Sequence, residues 1–439
     1  MEGCPGLNAT AGVAREMDMD SFSSEDRAWI EAHGLTVDEV ERQAALLRDP
    51  PPAVKLLRPC SVGDGVVRID EREHAELLAL ADEAARTGRL SKFVPASGAA
   101  SRMFEFLARG PDHPDVRRFH ENAATFAFDT GDVQALLGLP KGLLPFHRYS
   151  DGVRTPFEEH LFEAAAIVRD ATGLCRVHVT VPSGRVAAFE AVLEKVRPRL
   201  ERETGARLEV RFSEQAPSTD TIAIDEKGCL FRDPEGRLLF RPGGHGALLK
   251  NLAESGGDVV LVKNIDNVVP DDLRAPTLLW KRLLGGLLVR IERTSPRDRP
   301  LRVCGVVRNE GEPGGGPFWV EGPGDETRQI VESAQVDLGN PAQEAIFRSA
   351  THFNPVDLAC SLREASGRPF DLGRFVDERA VFIAKKTHEG RTLFALERPG
   401  LWNGAMALWE TVFVEVPKET FAPVKTALDL LRPEHQTRE

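Results

Sequence analysis

The chain has 439 residues, 41% of them hydrophobic and 28% charged; that is more than one ordinary core holds and close to globular averages. Disordered, collagenous and coiled-coil classes are excluded, and one large domain with additions, or two domains in contact, is expected. A net charge of −12 excludes a general basic face for nucleic acid or an anionic membrane, so an anionic substrate must be met by charges gathered locally.

The elements follow in chain order. Residues 1–20 are small, polar and aperiodic and are expected to be a disordered tail, with Met17 or Met19 as an alternative start. "SSEDRAWIEAHGLTVDEVERQAALLRDPPP" predicts two helices, opened by a capping-box pattern and stopped at Pro50, and "DEREHAELLALADEAARTGRL" predicts a third; together residues 21–90 form a helical prefix. Beyond it, "KFVPA", "RVHVTVP", "RLEVRFSE", "DVVLVKNID", "LRVCGVVRN", "AVFIAKK" and "TVFVEVP" read as short strands. Helical stretches such as "RVAAFEAVLEKVRPRLERET" and "DDLRAPTLLWKRLLGGLLVRIERT" alternate with them. Alternation of this kind predicts an α/β fold with a mixed, mostly parallel sheet and ligands beyond the carboxyl ends of its strands. "NEGEPGGGPFWVEGPGDET" reads as a Gly/Pro-rich loop opening a smaller C-terminal segment, 301–439, after a core at 91–300.

Cys4, Cys60, Cys175, Cys229, Cys304 and Cys360 show no CxxC spacing and the histidines no HExxH, so reduced thiols without a zinc site are expected. No apolar run reaches the roughly eighteen residues of a membrane span and no signal sequence is visible, so a cytoplasmic protein is expected.

Five stretches carry chemistry. In "FVPASGAASRM" a strand runs into small residues and then Arg102; such a loop lets backbone N–H groups close on phosphate oxygens, although a tight strand-to-helix turn explains the same residues. Lys141 in "LPKGLLPF" sits on a stiff, proline-limited loop, either as a fixed charge against a phosphate or as a solvated lysine. Gly243, Gly244, His245 and Gly246, expected between a strand "LLFRP" and a helix, allow close backbone approach to a flat ligand, or simply cap the helix. Asp266 follows the apolar strand "DVVLV", where a carboxylate can hold Mg2+ against a triphosphate or act as a loop cap. Lys425, in "FAPVKTALDLL", precedes a short helix.

In order and spacing these stretches resemble the nucleotidyltransferase fold of sugar-nucleotide pyrophosphorylases, and in particular the UDP-sugar branch: "ASGAASRM" with "PKGLLPF", "RPGGHGALL", "NIDN" and "EVPKETFAPVKTALDLL" are similar to its signature segments. "NEGEPGGGPFW", "THFNPVDLA" and "PGLWNGAMALWETVFVEVP" look like an uncharacterised bacterial family catalogued as a domain of unknown function. The resemblance implies a nucleotide-diphospho-sugar transferase-like (GT-A type) fold joining a nucleoside triphosphate, UTP favoured, to a sugar 1-phosphate with Mg2+ as cofactor. It assigns Ala96, Ser97, Gly98, Ala99, Ala100 and Ser101 to the triphosphate and Gly243, Gly244, His245 and Gly246 to the base. Arg102, Lys141 and Lys425 become the catalytic cations, Asp266 the metal ligand, and Asn264, Asn354 and Lys425 the sugar-phosphate contacts. Where the family loop has more glycines and a Gly-Thr, this chain has Ala99, Ala100 and Ser101, which keeps open a nucleotide-sugar-binding protein without turnover. A metal-dependent glycosyltransferase on the same fold is the other alternative.

Overall fold

The computed structural model describes residues 22–295, 298–311, 314–322 and 325–437; the expected tail, with Met17, Met19 and Cys4, lies outside the described residues. The three predicted helices form, but the span 21–90 is not wholly helical: Leu56–Pro59, Ser61–Val62 and Gly65–Val67 within it are strands. Ser23 caps the helix Ser24–Ala32 by accepting from the Asp26 N–H, and Asp26 accepts from Ser23 in return. Thr36 caps Val37–Arg48, and a third helix runs His74–Arg86. The first two do not lie on the main sheet. Their apolar stripes, Ile30, Val40 and Leu47 among them, pack on Ile222, Leu238 and Leu396 beside a three-stranded sheet of Phe382–His388, Arg391–Glu397 and Ala223–Ile224. "AVFIAKK" is therefore a strand, but of this smaller sheet.

Nine strands among the described residues form the central sheet, in the spatial order Ser61–Val62, Gly65–Val67, Glu410–Glu415, Leu301–Arg308, His352–Ser361, Val259–Val262, Leu90–Pro95, Leu174–Val181 and Arg207–Glu214. All neighbours pair in parallel except His352–Ser361, which runs antiparallel to both strands it separates. Central strands read as unbroken apolar runs because both faces are covered: every residue of Val259–Val262 is buried. On one face the helices Pro156–Ile167, Val186–Thr204 and Ala275–Thr294 supply Phe157, Leu161, Phe189, Leu193 and Leu284. The other face is covered by residues including Leu248, Leu252, Phe370, Leu401 and Trp409. Gly286 has a steric reason to stand inside its helix, since a Cβ there would meet the Leu77 carbonyl oxygen at 1.9 Å.

Two expectations are corrected. The stretch read as a Gly/Pro-rich loop contains the strand Gly316–Glu321 and the start of Glu326–Val331, paired antiparallel; Phe318 and Val320 alternate into a small core, and the flanking glycines and prolines mask that alternation in the sequence. The chain entering "RPGGHG" is held by isolated bridges, Arg232 to Leu238 and Thr221 to Arg241, with no strand there. Beyond residue 300 the chain supplies Leu301–Arg308, His352–Ser361 and Glu410–Glu415, three interior strands of the main sheet.

Candidate functional site

At the carboxyl ends of the parallel strands, four separate pieces of chain are laced together. After Leu90–Pro95 the chain turns: the Ala96 N–H donates to the Thr180 carbonyl at 2.9 Å, while Ser97, Gly98 and Ala99 are exposed. The small-residue loop then pairs with the lysine loop. Ala99 bridges Pro140, the Lys141 N–H donates to Gly98 O at 3.0 Å, and the Ala100 N–H donates to Leu139 O at 3.1 Å. Lys141–Leu143 forms one 3₁₀ turn, seated against Phe189 and Ile265 where only Gly142 fits closely.

The third piece is "NIDN". Its second asparagine ties in the fourth piece: Asn267 Nδ2 donates to Val356 O and Thr420 O, both at 3.3 Å, and its Oδ1 accepts from the Ala422 N–H at 2.9 Å. The Val424 N–H donates to Asp266 O at 3.0 Å. This staple sets Lys425 over the Asp266 carboxylate. Lys141 Nζ lies 2.8 Å and Lys425 Nζ 3.0 Å from the same oxygen, Asp266 Oδ2. Asp266 is buried and the Lys141 side chain is 11% exposed, whereas the Lys425 side chain is 65% exposed. Burial works against charge on Asp266, yet the two ammonium groups outweigh it and hold the carboxyl below its ordinary value. Burial also pulls the Lys141 ammonium down, with Asp266 offsetting part of the effect.

His245 joins the group. Burial, with the charge of Lys425, pushes its imidazole down to about 4, and its ring meets Trp402 edge-on at 4.2 Å between centroids. The neighbouring glycines have packing reasons of their own: a Cβ on Gly243 would meet Thr219 O at 2.4 Å, and one on Gly246 would meet Pro399 O at 1.8 Å. Only Gly244, at φ 79°, takes the left-handed backbone.

The structure thus brings together Ala96 to Ser101, Lys141, Gly243 to Gly246, Asn264, Asp266 and Lys425. Asn264 shares the Asp266 turn, and its carbonyl accepts from His160 Nε2 at 3.1 Å. Asn354 lies on His352–Ser361, and its side chain is outside the described set. Arg102 is not drawn in: it is exposed on the 3₁₀ helix Ala100–Arg109 and makes no hydrogen bond or ion pair among the described residues. Among the described residues no group of three or more His, Cys, Asp or Glu side chains is placed to hold a metal. Asp266 is a single carboxylate with one oxygen shared by two lysines, a donor set that fits Mg2+ only as one protein ligand among phosphate oxygens and waters.

Behind the site lies a network that sequence reasoning missed. Lys92, Lys263 and Lys281, each at most 2% exposed, face Glu163 and Asp357 in the core. Lys92 Nζ lies 2.7 Å from Glu163 Oε1 and 2.9 Å from His160 O, Lys263 Nζ lies 3.3 Å from Glu163 Oε2, and Lys281 bonds Asp357. Its signal was available, in charged residues set into otherwise apolar strands at "LSKFVP" and "VVLVK".

Comparison with known proteins follows from this geometry. A family model described as a domain of unknown function (DUF4301) matches residues 23–130, 132–297 and 294–436. The chain belongs to the DUF4301 family. No curated protein matches the sequence. Among solved structures, the chain is similar to UDP-N-acetylglucosamine pyrophosphorylase from Trypanosoma brucei in complex with an inhibitor, at 16% identity and a TM-score of 0.57 over 94% of this chain and 80% of that one. It is also similar to UDP-glucose pyrophosphorylase from Leishmania major, at 17% identity and a TM-score of 0.53 over 94% and 79%. These likenesses establish that this DUF4301 chain shares their mixed α/β fold. Among the described residues no helix is long and apolar enough to cross a membrane. Cys60, Cys175, Cys229, Cys304 and Cys360 are free thiols.

Proposed function

We propose that this protein is a sugar-1-phosphate nucleotidyltransferase of the GT-A type, joining a nucleoside triphosphate, UTP favoured, to a sugar 1-phosphate with release of pyrophosphate. The observation that carries the reading is the convergence of Lys141 and Lys425 on Asp266 beside an exposed small-residue loop. The shared fold with two UDP-sugar pyrophosphorylases supports the reaction class.

In this reading an oxygen of the sugar phosphate attacks the α-phosphorus. The new P–O bond forms as the α–β bridging bond breaks, and its electron pair leaves with pyrophosphate, so no covalent nucleophile is required. Lys141 is a low-reorganisation charge: it is desolvated and held on a stiff turn, ready to meet the α-phosphate. Lys425, mostly exposed, swings from Asp266 onto the incoming phosphate. Asp266, kept ionised by both lysines, aligns them, and neutral His245 borders the base without adding charge. Mg2+, held by Asp266 and phosphate oxygens, would supply further charge neutralisation at the triphosphate. Arg102, free of internal partners, is assigned to the β/γ end.

The test is pyrophosphate release from a matrix of nucleoside triphosphates and sugar 1-phosphates. Turnover with at least one pair is expected. Thermal stabilisation by a nucleotide sugar without release from any pair would replace this reading by that of a binding protein, which Ala99 and Ala100 in the loop favour.

A further inference from the structure

The parallel strands begin on the opposite side of the sheet, about 20 Å away along a six-residue strand. A cavity of about 440 Å³ opens there, large enough for a small organic phosphate. It lies at the start of Leu90–Pro95, Leu174–Val181, Arg207–Glu214 and Val259–Val262, so it shares the strands but none of the residues of the candidate catalytic site. In a chain of net charge −12 its lining carries four guanidinium groups, of Arg89, Arg176, Arg211 and Arg363, against two carboxylates, of Glu209 and Asp258. The Lys92 ammonium, although its residue also borders the cavity, is turned into the core toward Glu163.

The four arginines are unequally committed. Arg89 is locked between Asp258 at 2.6 Å and Glu292 at 2.8 Å and is structural. Arg176 pairs with Asp170 at 3.0 Å, and Arg211 with Glu209 at 2.9 Å in a pair exposed enough to open readily. Arg363 donates only to backbone carbonyls, of Gly367 at 2.9 Å and Gly256 at 2.7 Å, so no carboxylate neutralises it among the described residues. A guanidinium fixed by carbonyls and left with its charge suits an oxyanion.

His178, 9% exposed, lines the same cavity. Its Nε2 is fixed 2.7 Å from Ser213 Oγ, which in turn accepts from Asn251 Nδ2 at 2.9 Å, while His178 Nδ1 has no partner. The ring is thus fixed by one nitrogen, while the other is itself shut off from solvent, so His178 serves as a rigid part of the cavity wall. Burial and the charge of Arg211 push this imidazole down to about 4, so at neutral pH it adds no further cation to the cavity.

We propose that this cavity is a second, noncatalytic binding site for a small phosphate-bearing anion, gripped by Arg363, Arg211 and Arg176. The site stands whether or not the nucleotidyltransferase reading does, because it is scored by binding and not by turnover.

The test is calorimetric titration with inorganic phosphate and, separately, glucose 6-phosphate at fixed ionic strength. The proteins are the wild type, Lys425→Ala to weaken anion binding at the catalytic edge, and the single variants Arg363→Gln and Arg211→Gln. One binding event is expected to survive Lys425→Ala, to weaken at least tenfold in Arg363→Gln, and to weaken at least threefold in Arg211→Gln. Arg211 projects from an exposed strand position, so its variant keeps the fold should loss of the Arg363 carbonyl bonds disturb it. Glucose 6-phosphate binding at least tenfold tighter than inorganic phosphate identifies a phosphate ester as the ligand; equal affinities identify inorganic phosphate. Loss of all binding in Lys425→Ala, or unchanged affinity in both arginine variants, overturns the proposal.

Discussion

Two lysine–carboxylate clusters stand close together in this fold, and each has one lysine more than it has carboxylates. At the sheet edge Lys141 and Lys425 share Asp266; in the core Lys92, Lys263 and Lys281 share Glu163 and Asp357. They differ in where the surplus can go. Lys425 is 65% exposed and can turn to an anion from solvent. In the core no such exit exists, and burial pushes the Lys92 ammonium down to about 7, so near neutral pH the surplus is only partly relieved by proton loss. An excess charge becomes a binding device only where one of its carriers is free to leave its partner.

The comparison can be broken at four points. The largest effect is expected from Glu163→Gln, which leaves Lys263 and Lys281 with Asp357 alone and takes from Lys92 its carboxylate partner; a loss of about 3–5 kcal/mol is expected from urea unfolding. A change below about 1 kcal/mol would show that the core cluster is not held by charge. Lys425→Ala comes next: pyrophosphate release is expected to fall about 100-fold, the scale for one aligned charge, while the melting temperature stays within a few degrees because Lys425 itself is mostly exposed and Lys141 still pairs with Asp266. Full turnover in that variant would reduce Lys425 to a surface lysine.

Asp266→Asn would be thermally silent if the residue were a bare metal ligand. In this structure the change strands the buried Lys141 ammonium, so a loss of roughly 1–3 kcal/mol is expected, together with loss of magnesium-dependent turnover. An unchanged melting temperature would show that Lys141 is not held by the pair.

Lys92→Met should have the smallest effect at neutral pH, neutral or slightly stabilising, because it removes the surplus charge and keeps the volume. Its pH signature is specific. The folded-state value of about 7 lies below the ordinary 10.5, so the unfolded chain binds more protons between them and wild-type stability should rise with pH across that window. The methionine variant should lack this rise, and parallel stability curves for the two proteins would contradict the assignment.

Much of this was legible in the sequence, because the strands around the site are buried on both faces and announce themselves as apolar runs, and because the caps at Ser23 and Thr36 are local. Lys141, Asp266 and Lys425 could be singled out as special backbone contexts, but not that one carboxylate oxygen receives both lysines. That depends on Asn267, whose role is visible only once "FAPVK" is laid beside "NIDN". The packing of Gly243 and Gly246 was hidden for the same reason: the atoms that exclude their side chains come from Thr219 and Pro399, far away in the chain. Arg102 shows the converse, a residue conspicuous in its motif that the fold leaves pointing to solvent without a partner.

The order of strands in the sheet also has a consequence for biosynthesis. Glu410–Glu415 is inserted between Gly65–Val67 and Leu301–Arg308, and His352–Ser361 fills the place beside Val259–Val262. A nascent chain that has emerged only as far as residue 300 presents Val259–Val262 as an apolar strand with one unpaired edge, the kind of edge that templates aggregation. The sheet closes only when late segments are threaded into its middle, and the same late step delivers Lys425 to Asp266. Competence to bind and completion of the sheet therefore arrive together, once the segments beyond residue 400 have folded in.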